Sequence, residues 1–362
     1  MKVAILGDTH FGMRNDSAAF NALARKFYTE VFFPYLKDNG IKTVIQLGDL
    51  FERRKFINFN ILASAKEYFF DPIRDNDYTL HVLIGNHDIF FRNTLSVNSP
   101  RLLLSEYDNN IHIIESPKSI DFMMYPDKPG LMTIDFIPWI CEENRAEVEE
   151  FISKSKNSFC VGHLELAGFE MDRGNWCHEG MDVSLFSRYE QVVSGHFHHS
   201  SRKGNILYAG VPNQMTWADW NDPKGFWILD TVTRELDFIE NPHSIYVKIP
   251  YNDDELYFDD VTKHDFTAYT GKYIKVVVVK KGNAFLFETF MEHLGKANPI
   301  DVTVVEDFTD VSLPGSEEDI NQADDTMSII DKVVDGLEIE LEKSRLKRIL
   351  RAVYTEALAV ES

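Results

Sequence analysis

The largely apolar run Leu80-His81-Val82-Leu83-Ile84 is followed by Gly85-Asn86-His87-Asp88. A short apolar run that ends in glycine is typical of a buried β-strand that stops at a sharp turn. The next three residues offer an amide oxygen, an imidazole and a carboxylate, groups that ligate metals and transfer protons. This stretch therefore predicts a strand end that carries the chemistry of the chain.

Four other segments repeat this order of an apolar run, a glycine and a ligand-type residue. They are Val-Ala-Ile-Leu-Gly-Asp-Thr-His (Val3–His10), Val-Ile-Gln-Leu-Gly-Asp (Val44–Asp49), Phe-Cys-Val-Gly-His (Phe159–His163) and Val-Val-Ser-Gly-His-Phe-His (Val192–His198). Because ligands collect at the carboxyl ends of parallel strands, we expect the five ends to meet. The side chains delivered there are Asp8, His10, Asp49, Asn86, His87, His163, His196 and His198.

This set contains two carboxylates, one amide and five imidazoles, with no thiolate. Oxygen and nitrogen donors of this kind suit Mn²⁺, Fe²⁺ or Zn²⁺. Eight groups are too many for one ion and suit two. In sites that hydrolyse phosphate esters, the two ions lie about 3.5–4 Å apart and share a carboxylate. One histidine must stay unligated to protonate the leaving oxygen. A single residue of this kind after a strand is more often a turn, helix-cap or hydrogen-bonded polar residue than a metal ligand. Together, the eight residues predict a dimetal site.

The spacing of apolar residues predicts an α/β fold with two sheets back to back and helices outside. Strands and helices alternate through Ile84, which indicates parallel pairing, and a second set of strands begins at Ile111. We expect a phosphoesterase-type unit over residues 1–240 and a small α+β unit over residues 241–311. Residues 312–325 have the composition of an acidic linker, and residues 326–362 carry the apolar stripes of a helical tail.

Composition limits the class of protein. The chain of 362 residues is 44% hydrophobic, which is enough for a buried core. The absence of a signal pattern, of a long apolar run and of C-x-x-C spacing predicts a cytoplasmic protein with reduced cysteines and no membrane span. The net charge of −21 opposes nucleic-acid binding by the chain alone, although bound divalent ions would reverse the local sign.

The motif set resembles that of the calcineurin-like metallophosphoesterases across roughly residues 1–230. The resemblance implies one metal on Asp8, His10, Asp49 and His198, and a second on Asp49, Asn86, His163 and His196. It implies that His87 acts on the transition state and leaving group, with Asp88 orienting it. Two divalent ions are expected, Mn²⁺ first, with Fe²⁺, Zn²⁺ or Mg²⁺ as alternatives.

Within that superfamily the chain is similar to the SbcD-type nucleases, which include the recombination endonuclease subunit of tailed phages. The similarity lies in Gly-Asp-Thr-His-Phe-Gly (Gly7–Gly12), in Gly-Asp-Leu-Phe (Gly48–Phe51), and in the order of a small α+β unit, a linker and an amphipathic tail. It implies a DNA exonuclease or endonuclease with a DNA-capping domain. It also implies an SbcC-type coiled-coil ATPase bound to the tail, and a homodimer within a heterotetramer that pairs near residues 61–70 and 100–104.

One position departs from the wider family, since Glu52 stands where some relatives have a histidine that helps to select diesters. Basic residues follow the site loops and could hold the DNA backbone, although a solvated loop is the simpler interpretation. They are Arg53, Arg54, Lys55, Arg14 and Arg92. The alternative function is a metallophosphoesterase for small phosphodiesters or phosphoproteins, which would not need the region from Pro242 onward.

Overall fold

Two mixed sheets of six strands each form the larger part of the structure. The computed structural model describes residues 1–124, 130–172 and 175–306. Seventeen strands are assigned within these ranges. They are β1 (Lys2–Leu6), β2 (Thr43–Gln46), β3 (Thr79–Leu83), β4 (Ile111–Ile114), β5 (Lys118–Met123), β6 (Leu131–Ile137), β7 (Phe159–His163), β8 (Glu170–Asp172), β9 (Asn175–Trp176), β10 (Gln191–Gly195), β11 (Ser201–Lys203), β12 (Ile206–Tyr208), β13 (Gly225–Asp230), β14 (Leu236–Glu240), β15 (Tyr246–Asn252), β16 (Tyr273–Lys280) and β17 (Asp301–Glu306).

The first sheet has the order β14-β13-β1-β2-β3-β4, and β1 to β4 are mutually parallel. The second has the order β11-β12-β10-β7-β6-β5, and β6, β7, β10 and β12 are parallel. Antiparallel strands lie at the margins of both sheets. Each sheet therefore directs the carboxyl ends of its central strands toward one edge.

Side chains of successive strand residues point to opposite faces of each sheet, and both faces are covered by other parts of the chain. Ile5 and Ile45 of the first sheet pack with Phe136, Val161 and Val193 of the second, so the two sheets share an apolar core. The opposite face of the first sheet is covered by helices with a core rich in phenylalanine, and that of the second by a helix and loops. Both inner and outer faces are buried, which explains the continuous apolar runs of the central strands.

Helices lie outside both sheets and beside the third one. Their bounds are Ala18–Phe27, Phe33–Asp38, Phe59–Ala65, Asp71–Asp75, Ser99–Leu103, Arg145–Lys154, Phe258–Lys263 and Ala284–Lys296, with 3₁₀ turns at Ser105–Tyr107, Val183–Phe186, Trp217–Asp219 and Phe266–Tyr269.

The apolar spacing of Phe59–Phe70 predicts a helix that Asp71-Pro72 closes, but the helix continues to Asp75 through a π-helical turn, Lys66–Phe70. A second π turn, Tyr28–Phe32, precedes Pro34 in the same way. Proline lacks the N–H that would bond to the carbonyl four residues earlier, and its ring crowds that carbonyl. A wider π turn just before the proline relieves this conflict, so the helix passes through it.

A third sheet of three parallel strands, β15-β16-β17, follows the two large ones. One face of this sheet packs on the helices Phe258–Lys263 and Ala284–Lys296 through a separate core that contains Tyr251, Val276 and Phe290. The predicted two-sheet α/β sandwich followed by a small α+β unit is thus confirmed. The predicted domain limits stay predictions, and the linker and tail lie outside the described residues.

None of the helices in the described ranges combines the length and the apolar character that a membrane span needs.

Candidate metal centre

The five strand ends that the sequence singles out come together where the edges of the two large sheets meet. β1, β2 and β3 belong to the first sheet, and β7 and β10 belong to the second. The ligand-type atoms form three overlapping groups, with all atoms of a group within 4.8 Å of one another. The groups are Asp8 with His10 and His198, His10 with Asp49 and His87, and Asp49 with His163 and His196.

The first group joins the end of β1 to the loop after β10. The Nε2 atoms of His10 and His198 lie 3.2 Å apart. Oδ2 of Asp8 lies 4.0 Å from Nε2 of His10. These atoms surround a space in which a single ion could contact all three side chains.

The group of Asp49, His163 and His196 is extended by Asn86, whose Oδ1 lies 2.9 Å from Nε2 of His163. Oδ2 of Asp49 lies 3.5 Å from Nε2 of His163 and 3.9 Å from Nε2 of His10. The Asp49 carboxylate is therefore within reach of both groups. Nδ1 of His163 donates to the Leu47 carbonyl at 2.8 Å, which leaves its Nε2 free to face the group.

The backbone bends sharply at the ligands. His10, Asp49 and His196 have positive φ angles of 45°, 50° and 89°, a region that non-glycine residues rarely adopt. Gly48 has a φ of 104°, and a Cβ on this residue would lie 2.4 Å from Nδ1 of His163. The glycine before the ligand is therefore needed because two strand ends approach each other too closely for a side chain.

The two central carboxylates respond differently to their surroundings. Burial and the charge of Asp49 raise the pKa of Asp8 to about 7, against the opposing effect of His163. Burial would also raise the pKa of Asp49, but the charges of His163, His10 and His87 outweigh it and hold that pKa well below its usual range. Acids packed this closely repel one another, and a cation among them would remove that repulsion.

The pKa values of the histidines are also shifted in opposite directions. Burial opposes protonation of His10, yet the Glu52 carboxylate, whose Oε2 lies 2.8 Å from Nδ1 of His10, raises the pKa of this histidine to about 9. Burial and the neighbouring imidazole of His163 lower the pKa of His196 to about 3. Burial and His10 lower the pKa of His198 to about 3. The rings of His196 and His198 are thus neutral at pH 7, the form in which imidazole binds metals.

The donors fit divalent cations. The Nδ1 atom of His196 is buried and has no hydrogen-bond partner among the described residues. Buried polar atoms normally have a partner, so an orphaned imidazole nitrogen beside carboxylates suits a metal ligand. The donor set of oxygen and nitrogen without sulfur suits Mn²⁺, Fe²⁺ or Zn²⁺.

Comparison with known proteins identifies the family of the chain. Residues 1–200 match the calcineurin-like phosphoesterase family. The chain belongs to this family. Membership confirms the predicted resemblance and implies divalent metal ions as cofactors, while the ligand assignment of each residue stays a prediction.

This phosphoesterase is similar in sequence to two nuclease subunits. Exonuclease subunit 1 of Enterobacteria phage T4 is 36% identical over 293 residues, which are 81% of this chain and 81% of the relative. The SbcD subunit of the nuclease SbcCD from Staphylococcus saprophyticus subsp. saprophyticus is 30% identical over 98 residues, 25% of this chain and 26% of the relative. Both relatives are named as nuclease subunits.

The predicted catalytic pair of the phosphoesterase, His87 and Asp88, has separate contacts. Nδ1 of His87 donates to the backbone carbonyl of Glu52 at 2.6 Å. The fully buried Asp88 carboxylate accepts from the backbone amides of Gly85, Leu50 and Phe51 at 2.9, 2.9 and 3.2 Å. These contacts make Asp88 a residue that shapes the loops, and the orienting contact on His87 comes from Glu52. A part for Asp88 in the reaction stays a prediction.

Sequence reasoning missed two residues that support the ligands. The Trp139 ring lies 5.1 Å from that of His196 and 5.8 Å from that of His163, between centroids. Nζ of the buried Lys224 donates to the His198 carbonyl at 3.0 Å and pairs with Asp219 and Asp222. Pro138-Trp139 directly follows the largely apolar run Leu131–Ile137, which is a weak signal, but nothing in the sequence marks Lys224.

The five basic side chains that are predicted to contact DNA differ in whether another protein group already binds them. Arg53 is held by the Asp16 carboxylate at 2.8 Å and by Asn15. Among the described residues Arg54 has no ion-pair partner, and burial and the nearby Arg92 lower its pKa while Asp49 raises it. The remaining side chains, Lys55, Arg92 and Arg14, are exposed. The contacts with DNA stay predictions.

Proposed function

We propose that this chain is the nuclease subunit of a DNA-end-processing complex and hydrolyses phosphodiester bonds during recombination and double-strand-break repair. One observation supports the chemistry above all others, namely that the Asp49 carboxylate lies within 4 Å of both His10 and His163. A carboxylate shared in this way is the basis of two-metal phosphoester hydrolysis. The nuclease names of both relatives support DNA as the substrate.

The proposed ions are two Mn²⁺, each with its own set of ligands. Asp8, His10 and His198 would hold one ion and Asn86, His163 and His196 the other, with Asp49 common to both. When bound, the ions polarise the phosphoryl oxygen and activate water for attack. The chain's own contribution is to fix these ligands at the ends of buried strands, where their positions are rigid.

His87 is the proposed proton donor to the leaving oxygen. Because a carbonyl can only accept, the contact with Glu52 requires the proton on Nδ1 of His87. Nε2 is then the nitrogen that gives up a proton from the imidazolium form and takes one back from water. Its place beside His10, with ring centroids 5.0 Å apart, puts it next to the proposed first metal.

The proposed phosphate contacts near the reaction are Arg54 and Arg92. The two guanidinium groups repel each other, and a phosphate bound between them would replace this repulsion by charge-assisted hydrogen bonds. Lys55 and Arg14 would hold the backbone farther along, and Arg53 would act through the turn that it stabilises.

The activity is tested with a blunt, end-labelled DNA duplex incubated with the full chain and Mn²⁺, beside Asp49→Ala. The proposal expects Mn²⁺-dependent shortening of the duplex by the wild type and none by the variant. Cleavage of a small phosphodiester without any cleavage of DNA, even with an ATPase partner added, would instead favour the small-substrate alternative.

The proposed partner is an SbcC-type coiled-coil ATPase bound through residues 326–362, in an assembly with two copies of this chain. Residues 241–311 would act as a DNA-capping domain, and the work would take place in the cytoplasm of a host cell. Leu102 is 67% exposed and lies on the helix near which the dimer is proposed to form. Deletion of residues 326–362 should abolish ATPase binding and spare Mn²⁺ content; unchanged binding would refute the role of the tail.

A further inference from the structure

Glu52 contacts two histidines of the site through two different parts of one residue. Its side-chain Oε2 lies 2.8 Å from Nδ1 of His10. Its backbone carbonyl lies 2.6 Å from Nδ1 of His87. A single residue therefore lies behind a proposed metal ligand and behind the proposed proton donor.

The contact with His10 determines which nitrogen faces the site. The His10 side chain is only 2% exposed, so few other partners can reach its Nδ1. Its Nε2 points to the first ligand group, 3.2 Å from Nε2 of His198 and 3.9 Å from Oδ2 of Asp49. A carboxylate behind Nδ1 keeps the proton there and leaves the lone pair on Nε2.

The main chain of Glu52 is itself held in place. Its amide donates to the Phe11 carbonyl at 3.1 Å, and the amides of the preceding residues Leu50 and Phe51 donate to the buried Asp88 carboxylate. Phe11 also forms a parallel bridge with Phe51. The loop after β2 is thus tied to the loop after β1, and the carbonyl that faces His87 does not depend on the Glu52 side chain.

We propose that Glu52 is a positioning residue whose carboxylate fixes the orientation and tautomer of His10 and so sets the affinity of one of the two metal ions. Its main chain fixes His87 independently of that carboxylate. This inference rests on the metal centre of the proposed function. It assigns a role to the position at which this chain departs from relatives that carry a histidine.

The test is a Mn²⁺ titration of the metal-free full chain, with free Mn²⁺ followed by its EPR signal. Four variants are compared with the wild type. Glu52→Ala and Glu52→Met remove the acceptor, Glu52→Gln keeps a neutral acceptor, and Glu67→Ala is the control, since its carboxylate pairs with Arg25 on the surface. We expect Glu52→Ala and Glu52→Met to weaken one of the two affinities by about 10–100-fold, as for other carboxylates behind metal-bound histidines.

Glu52→Gln should fall between these variants and the wild type, and Glu67→Ala should match the wild type. At saturating Mn²⁺, the acceptor-free variants should recover most of their turnover, because the His87 contact comes from the backbone. Thermal melts identify any variant that does not fold, in which case the Met variant replaces the Ala variant. Wild-type affinities in a folded acceptor-free variant would overturn the inference, whereas a wild type that binds no Mn²⁺ would refute the metal centre itself and the inference with it.

Discussion

The Nε2 atoms of His10 and His198 lie 3.2 Å apart, although one residue follows a strand of the first sheet and the other a strand of the second. The ligands of the proposed first ion therefore come from both layers of the sandwich. The second proposed group does the same, since Asp49 belongs to the first sheet and His163 to the second.

Metal binding should consequently stabilise the fold. An ion that binds only the folded chain at 100 times its Kd adds about 2.7 kcal/mol to the free energy of unfolding. Mn²⁺ should therefore raise the melting temperature, and a chelator should reverse the rise. His10→Ala should lose most of this response, while His199→Ala should keep it, because the His199 ring faces Asp222. Equal responses in both variants would contradict the assignment of His10.

His87→Ala should retain both metal ions and lose turnover by about 10²–10⁴-fold, the usual size of a general-acid contribution. The physical reason is that its Nδ1 is used by the Glu52 carbonyl, which leaves Nε2 for proton transfer. Mn²⁺ content and the rate of phosphodiester cleavage are measured on the same sample. Wild-type turnover would refute the role.

Asp88→Ala should act through stability more than through proton transfer. The substitution leaves the buried amides of Gly85, Leu50 and Phe51 without their acceptor. Each buried donor left unpaired costs about 1–3 kcal/mol, so the free energy of unfolding should fall by about 3 kcal/mol or more. Urea unfolding measures this change. A variant of wild-type stability with lost turnover would instead support the predicted orienting role of Asp88.

Arg54 and Arg92 should contribute to DNA binding in a way that Arg53 does not. Removal of a phosphate contact weakens binding for every sequence and reduces the slope of log K against log[salt] by about 1. We expect this change for Arg54→Ala and Arg92→Ala. Arg53→Ala should mainly lower stability, because its guanidinium binds Asp16 in a turn with positive φ angles. Salt titrations of DNA binding distinguish the two effects, and unchanged slopes for Arg54 and Arg92 would count against phosphate contact.

His81 predicts a dependence of stability on pH that is separate from the metal site. Burial, with the charges of His112 and Lys118, lowers the pKa of this histidine to about 4, from 6.5 for a free side chain. Between these values the unfolded chain binds a proton that the folded chain does not, so stability falls as the pH falls below 6.5.

The expected loss from His81 is about 2 kcal/mol between pH 7 and pH 5. His81→Leu should lack this part of the pH dependence, since the ring packs on Phe122 and Phe136 and its Nδ1 has no partner within the described chain. Urea unfolding of the wild type and of His81→Leu at both pH values measures how much free energy of unfolding each protein loses. The titration of the metal site contributes equally to both losses and cancels when one is subtracted from the other. Parallel losses in both proteins would refute the assignment.

The clustering of the proposed ligands could be predicted from the sequence because each one follows a buried parallel strand, and such strands end at a common edge. Asp8, Asp49 and His163 are therefore placed by local pattern alone. Glu52, Trp139 and Lys224 could not be found in this way, because their contacts join segments far apart in the chain. The helix through Pro72 was also mispredicted, since nothing in the local sequence marks the π turn that accommodates the proline.

The central claim is a dinuclear centre that shares Asp49, and the stoichiometry of Mn²⁺ tests it most directly. A titration of the metal-free wild type with Mn²⁺, read by EPR, should give two ions per chain and an exchange-coupled spectrum. Asp49→Asn should lose the coupling and bind at least one ion more weakly. A wild type that binds a single ion, or two ions without magnetic coupling, would contradict the account.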